Sequence, residues 1–293
     1  MTDFTLPDGK RLALSIVINV EEGSEMNVAD GDKLPEPVDE LGVALKIPIR
    51  NYVNESNYQY GIRAGGPRVM KLLDKYEAKT TVTAAALSLE RAPDLAAEIK
   101  RQGHEVCSHG WRWVHQFSYK EDREREFIRK AAESIEKTMG TRPAGWLSRY
   151  LHTAQTHRLL LEEGYTYHMD DMSDDVPRWK SVEMADGSKR GLVVMPYAID
   201  TNDMKFWVAP AYTPTQWLDY VRHSVDWMLE ETKEGPRMLS VGLHLRIIGR
   251  PGRIWALDEF LKYVSQIPEI WITSRQEIAE RFVSENPWSE SQE

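Results

Sequence analysis

Along its 293 residues the chain repeats one alternation, a short β-rich run followed by a longer amphipathic stretch, and this limits the fold more than any other feature. The runs "LALSIVINV", "TTVTAAA", "HEVCSHG", "AGWLS", "YTYHMD", "GLVVMPYAI", "MLSVGLHL" and "EIWIT" read as strands. Between them, stretches such as "GPRVMKLLDKYEA", "APDLAAEIKRQG" and "KEDREREFIRKAAESIEKTMG" carry apolar residues at helical spacing, with Gly103 and Gly140 placed to end two of the helices. Seven or eight strand-then-helix units without a linker predict one α/β domain over residues 1–293, a (β/α) barrel from about 12 to 282 with a frayed tail "SENPWSESQE". An open doubly wound sheet is the competing arrangement. One connection breaks the rhythm: the polar, proline-containing excursion from Gly23 to Ala64 is too long for a simple link and points to a functional loop.

Composition removes several classes of function. A net charge of −9, with no long run of basic residues, argues against a nucleic-acid or anionic-membrane partner. Cys107 is the single cysteine, so one chain forms no internal disulfide and no cysteine-based metal cluster, and a reducing compartment is expected. The N-terminus lacks the pattern of an export signal, and no stretch approaches the ~18 apolar residues of a membrane span. These features predict a cytoplasmic protein.

A barrel carries its chemistry on the loops that follow the C-terminal ends of its strands. Read in order, those ends hold Glu21 and Glu22, then His109, Arg149, the pair Asp170 and Asp171, then Asp200, Asn202 and Asp203, and finally His244. Each has a plainer reading. Adjacent glutamates after a strand are often solvated, and if the strand runs on through them they cannot both face the same way. His104 stands at the opposite end and reads as structural, while His157, His168 and His223 read as structural or surface groups. "DDMSDD" has no regular ligand spacing and reads as a solvated loop.

The stretches "NVEEG", "SHGWRW" and "GLHLRIIGRPGR" resemble the polysaccharide-deacetylase superfamily, carbohydrate esterase family 4. With "ESNYQYGIRAG", "DDMSDDVPRW" and "MPYAIDTNDMKF" they are similar to its offshoot of cyclic imide hydrolases and metal-independent allantoinases. The resemblance implies a distorted (β/α)7 barrel of the NodB-like type and hydrolysis of a C–N bond, and it also suggests a homo-oligomer. In the sugar deacetylases two adjacent aspartates supply a general base and a zinc ligand, positions matched here by Glu21 and Glu22. Their H-x-x-x-H pair of ligands is matched only by His109, because the partner position is Trp113, whose indole nitrogen donates a hydrogen bond and cannot bind a cation. No cofactor is therefore expected. The alternative is one divalent metal such as zinc on Glu22, His109 and His115.

Without a metal, opening a ring amide needs a base for water, donors for the developing oxyanion and an acid for the leaving nitrogen. Glu21, Glu22, His109 and His244 are the candidate acid/base groups. Arg149 and Arg246 are candidates to hold a carbonyl or carboxylate, Trp111 and Trp113 to wall a flat ring, and Asp200 and Asn202 to shape the pocket. The function expected is hydrolysis of a small cyclic amide, an imide to its half-amide or a ureide such as allantoin. The alternatives are N-deacetylation of an acetylated amino sugar, or a catalytically inactive sugar-binding barrel. "LKIPIRNYVNES", expected to enter the pocket, favours imides.

Overall fold

A computed structural model describes residues 4–290. At its centre is β1 (Leu12–Val20), whose nine residues are all buried, as its largely apolar and β-branched content, broken only by Ser15 and Asn19, suits a strand covered on both faces. Parallel neighbours flank β1 on both edges. β2 (Thr81–Ala84) pairs with its upper half, from Val17 to Val20. The long β8 (Arg237–His244) runs along the opposite edge from Leu12 to Asn19. The lower half beside β2 is taken by β9 (Ile270–Ile272) at Leu12 to Leu14.

The sheet continues outward through β3 (Glu105–Ser108), β4 (Gly145–Trp146), β5 (Tyr167–His168), β7 (Lys189–Val194) and β6 (Arg178–Glu183), in the order β6-β7-β5-β4-β3-β2-β1-β8. It curls into an open barrel: among the described residues no ladder joins β8 to β6. The gap is instead crossed by single bonds, from the Met238 amide to the Asp175 carbonyl and from the Ala198 amide to Ser240 Oγ. This is the expected α/β barrel with a seam. β6 was not expected as a strand. "RWKSVE" is mostly half-buried and lacks an apolar run, and its one ladder among the described residues is the antiparallel pairing with β7, across a turn that Asp186 stabilises by accepting from Ser188.

Period-two alternation along β1 sorts its side chains between two cores. Leu12, Leu14, Ile16, Ile18 and Val20 pack outward against the helical layer that includes α2 (Gly66–Lys75), α4 (Pro93–Gln102), α7 (Pro214–Glu231) and α9 (Pro251–Val264). Ala13 and Val17 face the concave side, where they join Cys107, Tyr167, Met195 and the apolar residues Ile278 and Phe282 of α10 (Arg275–Glu285). The long excursion is partly ordered, holding α1 (Tyr52–Tyr60) and then a π-helical turn over Gly61–Gly65. No helix among the described residues is long and apolar enough to cross a membrane.

Candidate active site

The alternation that sorts β1 continues one step past its end and separates the two glutamates. Asn19 and Glu21 face the concave side and line a cavity of about 250 Å³ at the C-terminal ends of the strands. Glu22 turns to the convex side. There its Oε1 accepts from the Arg246 amide at 3.2 Å and its Oε2 from the Glu21 amide at 3.1 Å. Gly61 lies against it so closely that a Cβ there would collide with the carboxylate.

Glu21 is enclosed by cations. Its Oε2 accepts from Arg246 Nη1 at 2.8 Å, and His244 Nε2 stands 3.4 Å from its Oε1. Burial by itself would raise its pKa, but His244 and Arg246 outweigh that and hold it well below the ordinary carboxylate range. For Glu22 burial prevails over Arg246 and its pKa goes up. Two adjacent, identical side chains are thus driven in opposite directions by the face each occupies.

His244 closes β8 in register with Asn19 of β1. Its Nδ1 bonds Asp203 Oδ1 at 2.7 Å, while Asp203 Oδ2 accepts from the amides of His244 at 2.8 Å and Ile248 at 3.1 Å. Asp203 already accepts from those two backbone amides, so its Oδ1 is read as the acceptor of the Nδ1 proton, and Nε2 is aimed at Glu21. Burial opposes charge on the ring, but Glu21 and Asp203 overcome it and carry the pKa up to about 10. The imidazolium therefore lies between two carboxylates.

His109 is arranged differently. Its Nδ1 lies 2.7 Å from the Leu147 carbonyl, which only accepts, so Nδ1 carries the proton. The Nε2 lone pair then takes the Trp113 indole N–H at 3.0 Å. The 3.6 Å approach of Nε2 to Glu21 consequently holds no shared proton. These donors do not fit zinc: the His109 lone pair is occupied, both Glu22 oxygens are bonded to backbone amides, and His115 packs against the rings of Phe117 and Tyr150. The substitution at Trp113 both removes a ligand and occupies the one that remains.

The two arginines anchor the long excursion over the cavity. Arg149 forks onto the buried Glu36, donates from Nη1 to the Trp113 carbonyl at 2.7 Å, and stacks 3.7 Å from the Trp113 ring centroid. Arg246 donates through Nε to Glu40 at 2.7 Å and lies over the ring of Tyr58. Its Nη1 also stands 3.6 Å from Glu22 Oε1.

Of the residues expected at the site, Glu21, His109, Trp113, Arg149, Asn202, His244 and Arg246 line one cavity. Trp111 lies outside it, its ring covered by Lys130. Asp200 is outside as well, accepting from the Tyr220 hydroxyl at the surface. The segment 45–56 does not enter either, and its Ile47, Ile49, Tyr52 and Val53 are exposed. The earlier part of the same excursion takes its place and contributes Val38. Glu36, Glu40 and Tyr58 were not read as site residues from the sequence, and Asp203 and Asp170 were read only as residues at strand ends; the half-buried Asp170 carboxylate accepts from the Ser148 amide and hydroxyl, both at 2.7 Å. For Asp203 and Asp170 the signal was their place after strands.

Comparison with known proteins agrees with this architecture. The polysaccharide deacetylase family model matches residues 56–168. The crystal structure of PuuE allantoinase superposes with a TM-score of 0.90 at 36% identity, covering 97% of this chain and 94% of that one. The probable polysaccharide deacetylase from Pseudomonas aeruginosa PAO1 gives the same TM-score of 0.90 and 36% identity, over 97% and 95% of the two chains. A Schizosaccharomyces pombe protein named for polysaccharide deacetylation is 29% identical over 300 residues, 96% of this chain and 93% of that one. With 36% identity across nearly the whole of two solved relatives, this chain belongs to the polysaccharide deacetylase superfamily.

Proposed function

We propose that this protein hydrolyses a small cyclic imide to its half-amide without a metal, and that the carboxylate–imidazolium–carboxylate line Asp203–His244–Glu21 beside Arg246 carries the reaction. Arg246, which lines the cavity, supplies a donor for the imide carbonyl. The Glu21 carboxylate takes a proton from water as the oxygen attacks that carbonyl. As the C–N bond breaks, His244 Nε2 gives its proton to the departing nitrogen. The proton on Glu21 then returns to His244 across their 3.4 Å contact, and the new carboxylic acid ionises into solution. Asp203 keeps the ring oriented throughout.

The cavity favours an imide over a ureide. Val38, Trp113, Leu147, Met172, Ile199, Met204, Trp207 and Ile247 give it largely apolar walls, which suit ring methylenes. Ureide N–H groups turned to those walls rather than to Asp170, Asp171 or Asn202 would lie unpaired, at about 1–3 kcal/mol each. At about 250 Å³ the space is also small for an oligosaccharide. A small intracellular substrate accords with the single buried thiol, Cys107. We also propose self-association through the exposed apolar segment from Leu41 to Val53, checked by light scattering.

The test is ring opening of succinimide, dihydrouracil, hydantoin and allantoin before and after exhaustive chelation, with an acetylated amino sugar alongside. Succinimide should open at an unchanged rate in chelator. Loss of activity on chelation would overturn the metal-free step, and turnover of the amino sugar alone would overturn the imide.

A further inference from the structure

We propose that Val38 sets the size of the ring the cavity accepts, an inference that rests on the imide reading above. Val38 lines the cavity and packs against the small cluster of Tyr58, Ala85 and Trp113. Its backbone is held on both sides by groups that also hold the site's arginines. On one side Glu36 is forked by Arg149 and accepts from the Met26 amide at 3.1 Å. On the other, Glu40 takes Arg246 Nε at 2.7 Å. Between these anchors the Val38 amide donates to Glu36 Oε1 at 3.0 Å, and the Val38 carbonyl accepts from the Tyr58 hydroxyl at 3.2 Å and Asn54 Nδ2 at 3.3 Å.

A wall pinned in this way cannot retreat to admit a larger ring. Both outer anchors are arginines of the site itself, so the distance from the Val38 methyls to the groups facing the substrate carbonyl is fixed by the same side chains. One ring methylene against a fixed apolar wall changes kcat/KM by about 10- to 200-fold. Val38 is a specificity residue, and it takes no part in the proton transfers.

The test is the ratio of kcat/KM for glutarimide over succinimide. Val38→Ala should raise that ratio about tenfold or more, and Val38→Ile should lower it by a similar factor. Pro37→Ala, an exposed neighbour on the same strap, should leave it within about twofold of wild type, which separates side-chain volume from general loosening. Ratios within about twofold of wild type in both Val38 variants, or a Pro37→Ala shift as large as that of Val38→Ala, would overturn the role of Val38 alone. A wild-type protein that opens neither imide would overturn the reading beneath it.

Discussion

The two sides of the sheet at the end of β1 carry the same side chain in adjacent positions and treat it in opposite ways. On the concave side Glu21 meets Arg246 at 2.8 Å and His244 at 3.4 Å, and its pKa is held down. On the convex side Glu22 meets backbone amides and Gly61, with Arg246 Nη1 only at 3.6 Å, and burial prevails and pushes its pKa up. A motif of paired carboxylates does not by itself make a dyad; the strand decides which of the two reaches the chemistry.

The sharpest way to break this contrast is to neutralise each side in turn. Glu21→Gln should lower kcat by about 10³-fold, within the range of general acid–base catalysis. Steady-state rates on succinimide check it, and a fall of less than about tenfold would remove Glu21 as the base. Asp203→Asn should cost about 10²-fold and also move a pH limb. With its pKa at about 10, His244 keeps its proton through neutrality, so activity should decline as pH rises through about 10 in the wild type. Removing one of its two carboxylates should bring that decline to lower pH.

Smaller effects belong to the convex side. Glu22→Gln should change kcat less than about tenfold, because the group lies behind the strand and outside the cavity. A loss equal to that of Glu21→Gln would show the two sides to be equivalent. Gly61→Ala should destabilise the fold by about 1–3 kcal/mol through overpacking on Glu22, read as a lowered thermal midpoint.

The comparison also carries a pH dependence of stability. The folded pKa of His244 lies above that of the unfolded chain, about 6.5. Its contribution is therefore complete below that value and disappears as pH rises through about 10. The difference in melting temperature between wild type and His244→Asn should shrink between pH 7 and pH 10.5.

Much of the architecture was legible in the sequence because the strands of the inner sheet announce themselves by β-branched and apolar content, and their ends point to the site. The caution that adjacent strand residues face opposite ways applies directly to Glu21 and Glu22. Other features were hidden because they depend on partners distant in sequence. Glu36 and Glu40 acquire a role only where they meet Arg149 and Arg246, and nothing local marks them within a long polar excursion. Asp203 stands at the start of a short 3₁₀ turn, where an acidic residue has an ordinary capping role, and only the fold brings His244 to it. That Trp113 occupies the His109 lone pair also could not be read from spacing, since it depends on the Leu147 carbonyl fixing the tautomer.

The position of β1 has a consequence for how the chain is made. Leu12 pairs with Arg237 on one edge and Ile270 on the other, so β1 is completed only by strands made more than 200 residues later. At about 5–20 residues per second, that edge waits on the order of tens of seconds for its partners. An apolar strand left open for so long invites pairing with another nascent chain. Long-range closure of this kind also slows folding once synthesis ends. Yield in the cell should accordingly depend more on chaperone capacity and temperature during synthesis than on the equilibrium stability of the finished barrel.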